Sequence, residues 1–124
     1  MSVSQPGSGG SRVELSFLAA GEVEVQQMVA IAALGMCRAL AAGAVTPGYA
    51  CGRLFGPALL SRLDVLNAHP ELVRAIHLAT ELEDLSELAP ESMGSSIAEI
   101  EACLLRVLSV LPPSPTVGAK WLVK

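Results

Sequence analysis

Apolar residues recur at helical spacing along most of the chain, and the pattern divides into segments at glycine and proline. The first segment predicts a helix from about Glu22 to Ala42, with Gly43 as its stop. The last predicts a helix that begins at residue 95 or 96, where Ser96 and Glu99 would form a capping box. Its apolar stripe consists of Ile97, Ile100, Leu104, Val107, Leu108 and Leu111, and two prolines follow it.

Prolines predict the starts of the helices in between. Thr46 is placed to cap a short helix that starts at Pro47 and ends near Phe55. A third helix is predicted over roughly 57–67, and a fourth starts at Pro70. The pattern therefore predicts an all-α fold, a small bundle of four to five helices.

The two ends of the chain differ from the middle. Residues 1–11 are rich in Gly, Ser and Pro and predict a flexible N-terminal tail. Residues 12–111 form the predicted single helical domain, and residues 112–124 a proline-containing C-terminal tail. The stretch 12–19, RVELSFLA, alternates polar and apolar residues, so it is either a short extended segment or the first part of a helix.

Composition and charge narrow the functional classes. Apolar residues make up 52% of the chain and aromatic residues only 3%, which predicts an aliphatic core. The net charge is −4 and the eight basic residues are scattered, which argues against nucleic-acid binding and suits a basic protein partner. The apolar stretch 28–45 contains Arg38 and two glycines and is rich in alanine, so a membrane span is not expected.

The three cysteines are widely spaced and form no C-x-x-C pair. This spacing indicates buried, reduced thiols rather than a disulfide framework or a zinc site. Residues 1–11 also lack the basic and apolar regions of a secretory signal. We therefore expect a cytoplasmic protein.

One polar cluster interrupts the aliphatic pattern. On a helical wheel of the fourth helix, His77, Glu81 and Asp84 share a polar face with Arg74, opposite a stripe of apolar residues, and the simplest interpretation is the solvated face of an amphipathic helix. Glu83 falls on the apolar side, where an unpaired carboxylate would be costly to bury. Either the helix ends or bends around residue 82, which is the favoured interpretation, or a partner covers Glu83. Glu81, Glu83 and Asp84, here called the acidic turn, would then project from this break.

The same cluster is also a candidate for a catalytic or metal site. His77 and Glu81 have the H-x-x-x-E spacing that can hold a divalent ion, but helical metal centres draw such motifs from several helices. No second acidic cluster repeats the pattern, and no phosphate-binding loop or nucleophile triad is present. We expect no catalytic residues, no metal site and no cofactor, with a metal-dependent hydrolase that uses His77 and nearby carboxylates kept as an alternative.

Two longer stretches resemble a known family. LGMCRAL..GAVTPGYACGRLF and IHLATELEDLSEL.PE....SIAEIE resemble a family of short bacterial proteins classed as a domain of unknown function. Its members carry an Ile-His-Leu-Gly-Thr-Glu-Leu-Glu-Asp block, which matches residues 76–84 except that Ala79 replaces the glycine. The resemblance covers about residues 28–108 and implies a bacterial, cytosolic, helical protein. It also implies that the block carries function.

These observations favour a non-catalytic protein-binding module that holds a basic partner through its acidic helix surface. One specific version is an immunity or antitoxin-type protein that neutralises its partner. A self-associating regulatory or structural adaptor, and hence a homo-oligomer, is the second hypothesis. The predicted partner-binding residues are His77, Thr80, Glu81, Glu83 and Asp84.

Overall fold

The structure is a computed structural model that describes residues 13–19, 21–112 and 120–122. Within these residues the chain forms six α-helices and no β-strand longer than an isolated bridge. The helices are α1 (Glu22–Ala41), α2 (Pro47–Arg53), α3 (Pro57–Val65), α4 (Pro70–Thr80), α5 (Leu82–Leu88) and α6 (Met93–Val110). The all-α prediction is confirmed. The count differs from the predicted four to five because the chain resumes a helix, α5, directly after the break that follows α4.

The residues predicted to end the first helix and to cap the second are confirmed. Gly21 and Gly43 flank α1 with φ angles of 88° and 73°, a left-handed conformation that glycine adopts without strain. The Thr46 hydroxyl accepts a hydrogen bond of 3.0 Å from the Tyr49 amide and caps α2. Short polar caps and prolines thus determine where these helices begin.

The predicted start of the last helix is wrong. A 3₁₀ turn at Pro90–Ser92 leads directly into α6, so the helix is already formed when the chain reaches Ser96. Glu99 does not close a capping box, because its carboxylate lies 2.6 Å from the Arg74 guanidinium of α4. The predicted apolar stripe of α6 is confirmed, since its first four members are buried and the last two are half-buried.

The core is formed where α6 packs against α1 and α4. α3 covers α4, and α2 packs against α5. The buried core is aliphatic apart from Phe55 and the sulfur atoms of two cysteines, as the composition predicted. Its largest fully buried side chains are Phe55, Leu63, Leu72, Ile76, Leu82, Ile100, Leu104 and Val107.

Helix α1 is the one described helix with the length and composition of a membrane span. It has 20 residues and a mean hydropathy of 1.3, and a third of the span is buried inside the protein. Its buried Gln26 accepts a hydrogen bond of 2.8 Å from the His69 amide, which ties α1 to the start of α4. α1 therefore packs as part of the bundle along its buried side.

The segment 13–19 is extended rather than helical. Phe17 forms an isolated antiparallel bridge with Leu122, and the Leu18 amide donates a 2.6 Å hydrogen bond to the Trp121 carbonyl. Beside this bridge, Phe17 and Trp121 line an apolar cleft of about 230 Å³ with Met28, Ile31 and Ala32 of α1. The predicted tail 1–11 and most of the predicted tail 112–124 lie outside the described residues.

Candidate functional site

A helix break stands at the centre of the site. α4 ends at Thr80, and Glu81 adopts φ −93° and ψ −3° before α5 begins at Leu82. The Glu81 amide bonds to the Leu78 carbonyl at 3.2 Å, three residues back, which tightens the last turn. The break predicted around residue 82 is confirmed.

The acidic turn is divided between two surfaces, as the opposite wheel positions of Glu83 and of Glu81 with Asp84 imply. Glu81 and Asp84 line a groove beside α6. Glu83 instead points to α2, where its Oε2 atom would lie 3.0 Å from a Cβ built on Gly48. The five predicted partner-binding residues therefore do not form a single binding surface.

The other two members of that predicted set lie outside the groove. The Thr80 hydroxyl donates a 2.7 Å hydrogen bond to the His77 carbonyl, within the last turn of α4. The His77 side chain is exposed, on the side of α4 opposite the buried stripe. Neither side chain lines the groove that Glu81 and Asp84 share.

A groove of about 350 Å³ lies between the break, α5 and the first half of α6, and we call it the α5–α6 groove. It is lined by Leu78, Glu81, Asp84, Leu85, Leu88, Ser96 and Glu99. Most of the exposed lining is apolar, the lining includes three leucines, and Leu88 is 84% exposed at the edge. These leucines are not among the site residues predicted from the sequence. A signal for them was present, because Leu78, Leu85 and Leu88 fall on the same side of the helical wheel as Glu81 and Asp84.

The carboxylates of the α5–α6 groove differ in whether they are paired with a positive charge. Glu99 is paired with Arg74 at 2.6 Å, and this hydrogen bond raises the pKa of the Arg74 guanidinium. Glu81 and Asp84 have no side-chain hydrogen bond and no ion pair with any residue in the described ranges. Two negative charges at the rim of the groove are therefore left uncompensated.

Two ion pairs hold the helices that form the groove. Arg74 pairs with Glu99, and Arg106 of α6 pairs with Glu71 of α4 at 3.0 Å. Both guanidinium groups also approach the buried sulfur of Cys103, at 3.1 and 3.2 Å. The hydrogen bond from Arg106 lowers the pKa of the Glu71 carboxyl. This cluster fixes α4 against α6, and sequence reasoning missed it because the pairs join residues 25 to 35 positions apart.

The thiols are unpaired and differ in their surroundings. Cys37 is fully buried, and burial, followed by the nearby Glu101 carboxylate, raises the pKa of its thiol to about 12. Cys51 is half-buried, and its thiol points to the Ala79 carbonyl at 3.6 Å, at the end of α4. Burial also raises the pKa of the Cys51 thiol. Both shifts favour the protonated and less nucleophilic form.

Residues that could hold a metal ion do not converge in the described part of the chain. Within it, no three side chains of His, Cys, Asp or Glu lie together in a way that could bind a metal ion. His77 in particular is exposed on the side of α4 away from the core, whereas Glu83 points toward α2. The arrangement instead combines an apolar wall with exposed charge, which suits non-covalent recognition.

Comparison with known proteins gives one match. No curated protein and no solved structure matches this chain. A family model matches residues 20–123, which includes all six helices and the α5–α6 groove. The expected relationship to a family of unknown function is confirmed at this level, while the specific sequence block and the bacterial origin stay predictions. The chain belongs to the family described as "Protein of unknown function (DUF3969)".

Proposed function

We propose that this protein is a non-catalytic protein-binding module, active in the cytoplasm, whose basic partner docks in the α5–α6 groove. The observation that carries the proposal is the combination found there. A solvent-open leucine wall lies next to two carboxylates, Glu81 and Asp84, that have no partner among the described residues. Exposed apolar surface rimmed by polar groups is typical of protein interaction sites.

The two parts of the groove contribute differently to binding. Covering the leucine wall removes apolar surface from water, which stabilises a complex by about 25 cal/mol per Å². The unpaired carboxylates attract a basic surface from a distance and set its orientation, and this effect weakens with salt. The net charge of −4 acts in the same direction.

The proposal keeps two of the residues predicted from the sequence, Glu81 and Asp84, and adds the leucine wall and Glu99. His77, Thr80 and Glu83 lie outside the groove lining and serve as a comparison surface. The finer version, an immunity or antitoxin-type protein, is supported by the net charge of −4 and the helical fold. A gene for a toxin with a basic active site next to this gene would favour it.

Site-specific photo-cross-linking tests the proposal. A photoreactive residue at position 88, in the groove, is compared with one at position 105, where Leu105 is also exposed on α6 but lies outside the groove. The captured protein is identified by mass spectrometry, purified, and titrated by calorimetry against wild type and the double variant Glu81→Gln with Asp84→Asn. We expect cross-links at position 88 only and weaker binding by the double variant.

The matched control for the charge change is Asp64→Asn with Glu87→Gln. It alters the net charge by the same amount at exposed acids outside the groove. Equal capture at positions 88 and 105, or equal binding by both double variants, would contradict docking in the groove.

A second surface supports the alternative of self-association. Among the described residues, exposed large apolar side chains also gather in the extended segment, where Val13 is 87% and Leu15 is 65% exposed. Phe17 and Ile31 continue this surface onto α1. The solution mass of wild type and of Leu15→Ser, measured by light scattering, tests it. If wild type is a dimer and Leu15→Ser is a monomer, the self-associating adaptor is supported. If wild type stays monomeric at high concentration, self-association is contradicted.

A further inference from the structure

We infer that the α5–α6 groove binds one amphipathic α-helix of the partner, with leucine-type side chains on the groove wall and Lys or Arg side chains at Glu81 and Asp84. This inference rests on the proposed function and specifies the chemistry of the partner. It follows from the backbone of the groove walls, the spacing of the leucines and the position of the free carboxylates.

The main-chain groups of the groove walls favour a helical partner segment over an extended one. A partner strand binds by adding to a sheet edge, where main-chain N–H and C=O groups are free. The groove is lined by side chains of α4, α5 and α6, whose main-chain groups are used within the helices. Recognition must therefore come from side chains, and a helix presents a row of them to a groove between two helices.

The length of the leucine wall corresponds to about two turns of a partner helix. α5 has seven residues, which corresponds to a length of about 10 Å. Leu85 and Leu88 are three residues apart and lie on one face of α5, and Leu78 of α4 lies on the other side of the break. Apolar residues at positions i, i+3 or i+4, and i+7 of a partner helix would lie along such a wall.

The charges specify the flank of the partner helix. Glu99 is already neutralised by Arg74, whereas Glu81 and Asp84 are free and three residues apart. Lys or Arg side chains can lay their aliphatic stems on the leucine wall and reach these carboxylates with their charged ends. A helix with acidic residues in the same positions would meet like charge and be rejected.

Fluorescence anisotropy with a synthetic peptide tests the inference. The probe is a labelled peptide of about 15 residues with leucines on one helical face and lysines on both flanks. The first control peptide has the same composition in an order that scatters the leucines, and the second carries glutamates in place of the lysines. We expect binding of the first peptide only, with helix formation on binding detected by circular dichroism.

Variants of the protein locate the binding site. Glu81→Gln with Asp84→Asn should weaken binding on the order of tenfold at low salt and by less at high salt. Leu88→Ser should weaken it at both salt concentrations, because that loss is apolar. The matched controls are Asp64→Asn with Glu87→Gln for the charges and Leu105→Ser for the exposed leucine. All variants are compared at equal folded fraction, verified from their helical circular dichroism.

The outcomes separate the inference from the proposed function. If the scattered-leucine peptide binds as well as the amphipathic one, or the control variants weaken binding equally, the helix inference is overturned. If a native partner cross-links at position 88 but contributes no helix, the inference fails while the proposed function stands. If the peptide binds as expected but no native partner depends on Glu81 and Asp84, the proposed function fails and the recognition chemistry of the groove stands.

Discussion

The two leucines at the ends of helix α5 should differ sharply in their effect on stability. Leu82 is 1% exposed and belongs to the core, whereas Leu88 is 84% exposed at the edge of the α5–α6 groove. Truncation of a buried leucine to alanine costs about 2–5 kcal/mol, depending on how far the site can relax. Because α5 is short and its outer side faces an open groove, partial relaxation is available, and we expect Leu82→Ala to cost about 2–3 kcal/mol.

The expected loss of unfolding free energy in Leu88→Ala is much smaller. Full burial of a leucine contributes about 1.5–3 kcal/mol. Leu88 is only about one-sixth buried, which leaves about 0.3–0.5 kcal/mol to lose. Urea unfolding followed by circular dichroism measures both free energies. For a chain of this size the thermal midpoint should fall by roughly 6–15 °C in Leu82→Ala and by no more than about 2 °C in Leu88→Ala.

The comparison tests how α5 is oriented in the fold. A loss below about 1 kcal/mol in Leu82→Ala would show that α5 is not anchored to the core by this residue. A loss above about 1 kcal/mol in Leu88→Ala would show that α5 is rotated and that the leucine wall of the groove is closed. Either result would refute the reasoning that one leucine serves stability and the other binding.

Three further outcomes follow from other parts of the fold. In the native state, Ellman's reagent should modify the half-buried Cys51 well before Cys37, whose pKa is raised to about 12 by burial, and equal rates would contradict this. Gly43→Ala should destabilise the protein by about 1 kcal/mol in urea unfolding, since φ is 73° there although a Cβ has room, and an unchanged midpoint would show that the turn rearranges. Arg106 lowers the pKa of Glu71, so the stability from this pair is present above the ordinary carboxyl pKa of 4.5 and is lost as pH falls through the lowered value. The stability difference between wild type and Glu71→Gln should therefore shrink on acidification below pH 4.5, and a constant difference would contradict this.

Much of the fold could be predicted from local signals. Gly43, Thr46 and the prolines that start three of the helices act through their own backbone conformation, so the sequence predicts them without tertiary information. The break near residue 82 was predicted because Glu83 conflicted with the apolar face of α4. The same local reasoning failed at Ser96 and Glu99, because the turn from Pro90 had already begun α6.

The candidate site was predicted only in part, for a physical reason. The helical wheel of α4 already places Glu83 opposite Glu81 and Asp84, and the structure keeps this separation, with Glu83 facing α2 and the other two carboxylates lining the groove. The leucine wall exists only because α5 packs beside α6, which is a tertiary event. The pairing of Arg74 with Glu99 likewise joins two helices and determines which carboxylates remain free.

The most direct measurement of the central claim is an amide chemical-shift map of the isotopically labelled protein titrated with the leucine- and lysine-bearing peptide. We expect shifts concentrated in residues 78–88 and in the first turns of α6 up to Glu99, with α1 and α3 unaffected. At low salt, Glu81→Gln with Asp84→Asn should need about tenfold more peptide to produce the same shifts, whereas Asp64→Asn with Glu87→Gln should titrate like wild type. Shifts centred on α1 and Phe17, or on Glu83 and α2, would contradict the claim that the α5–α6 groove is the docking site.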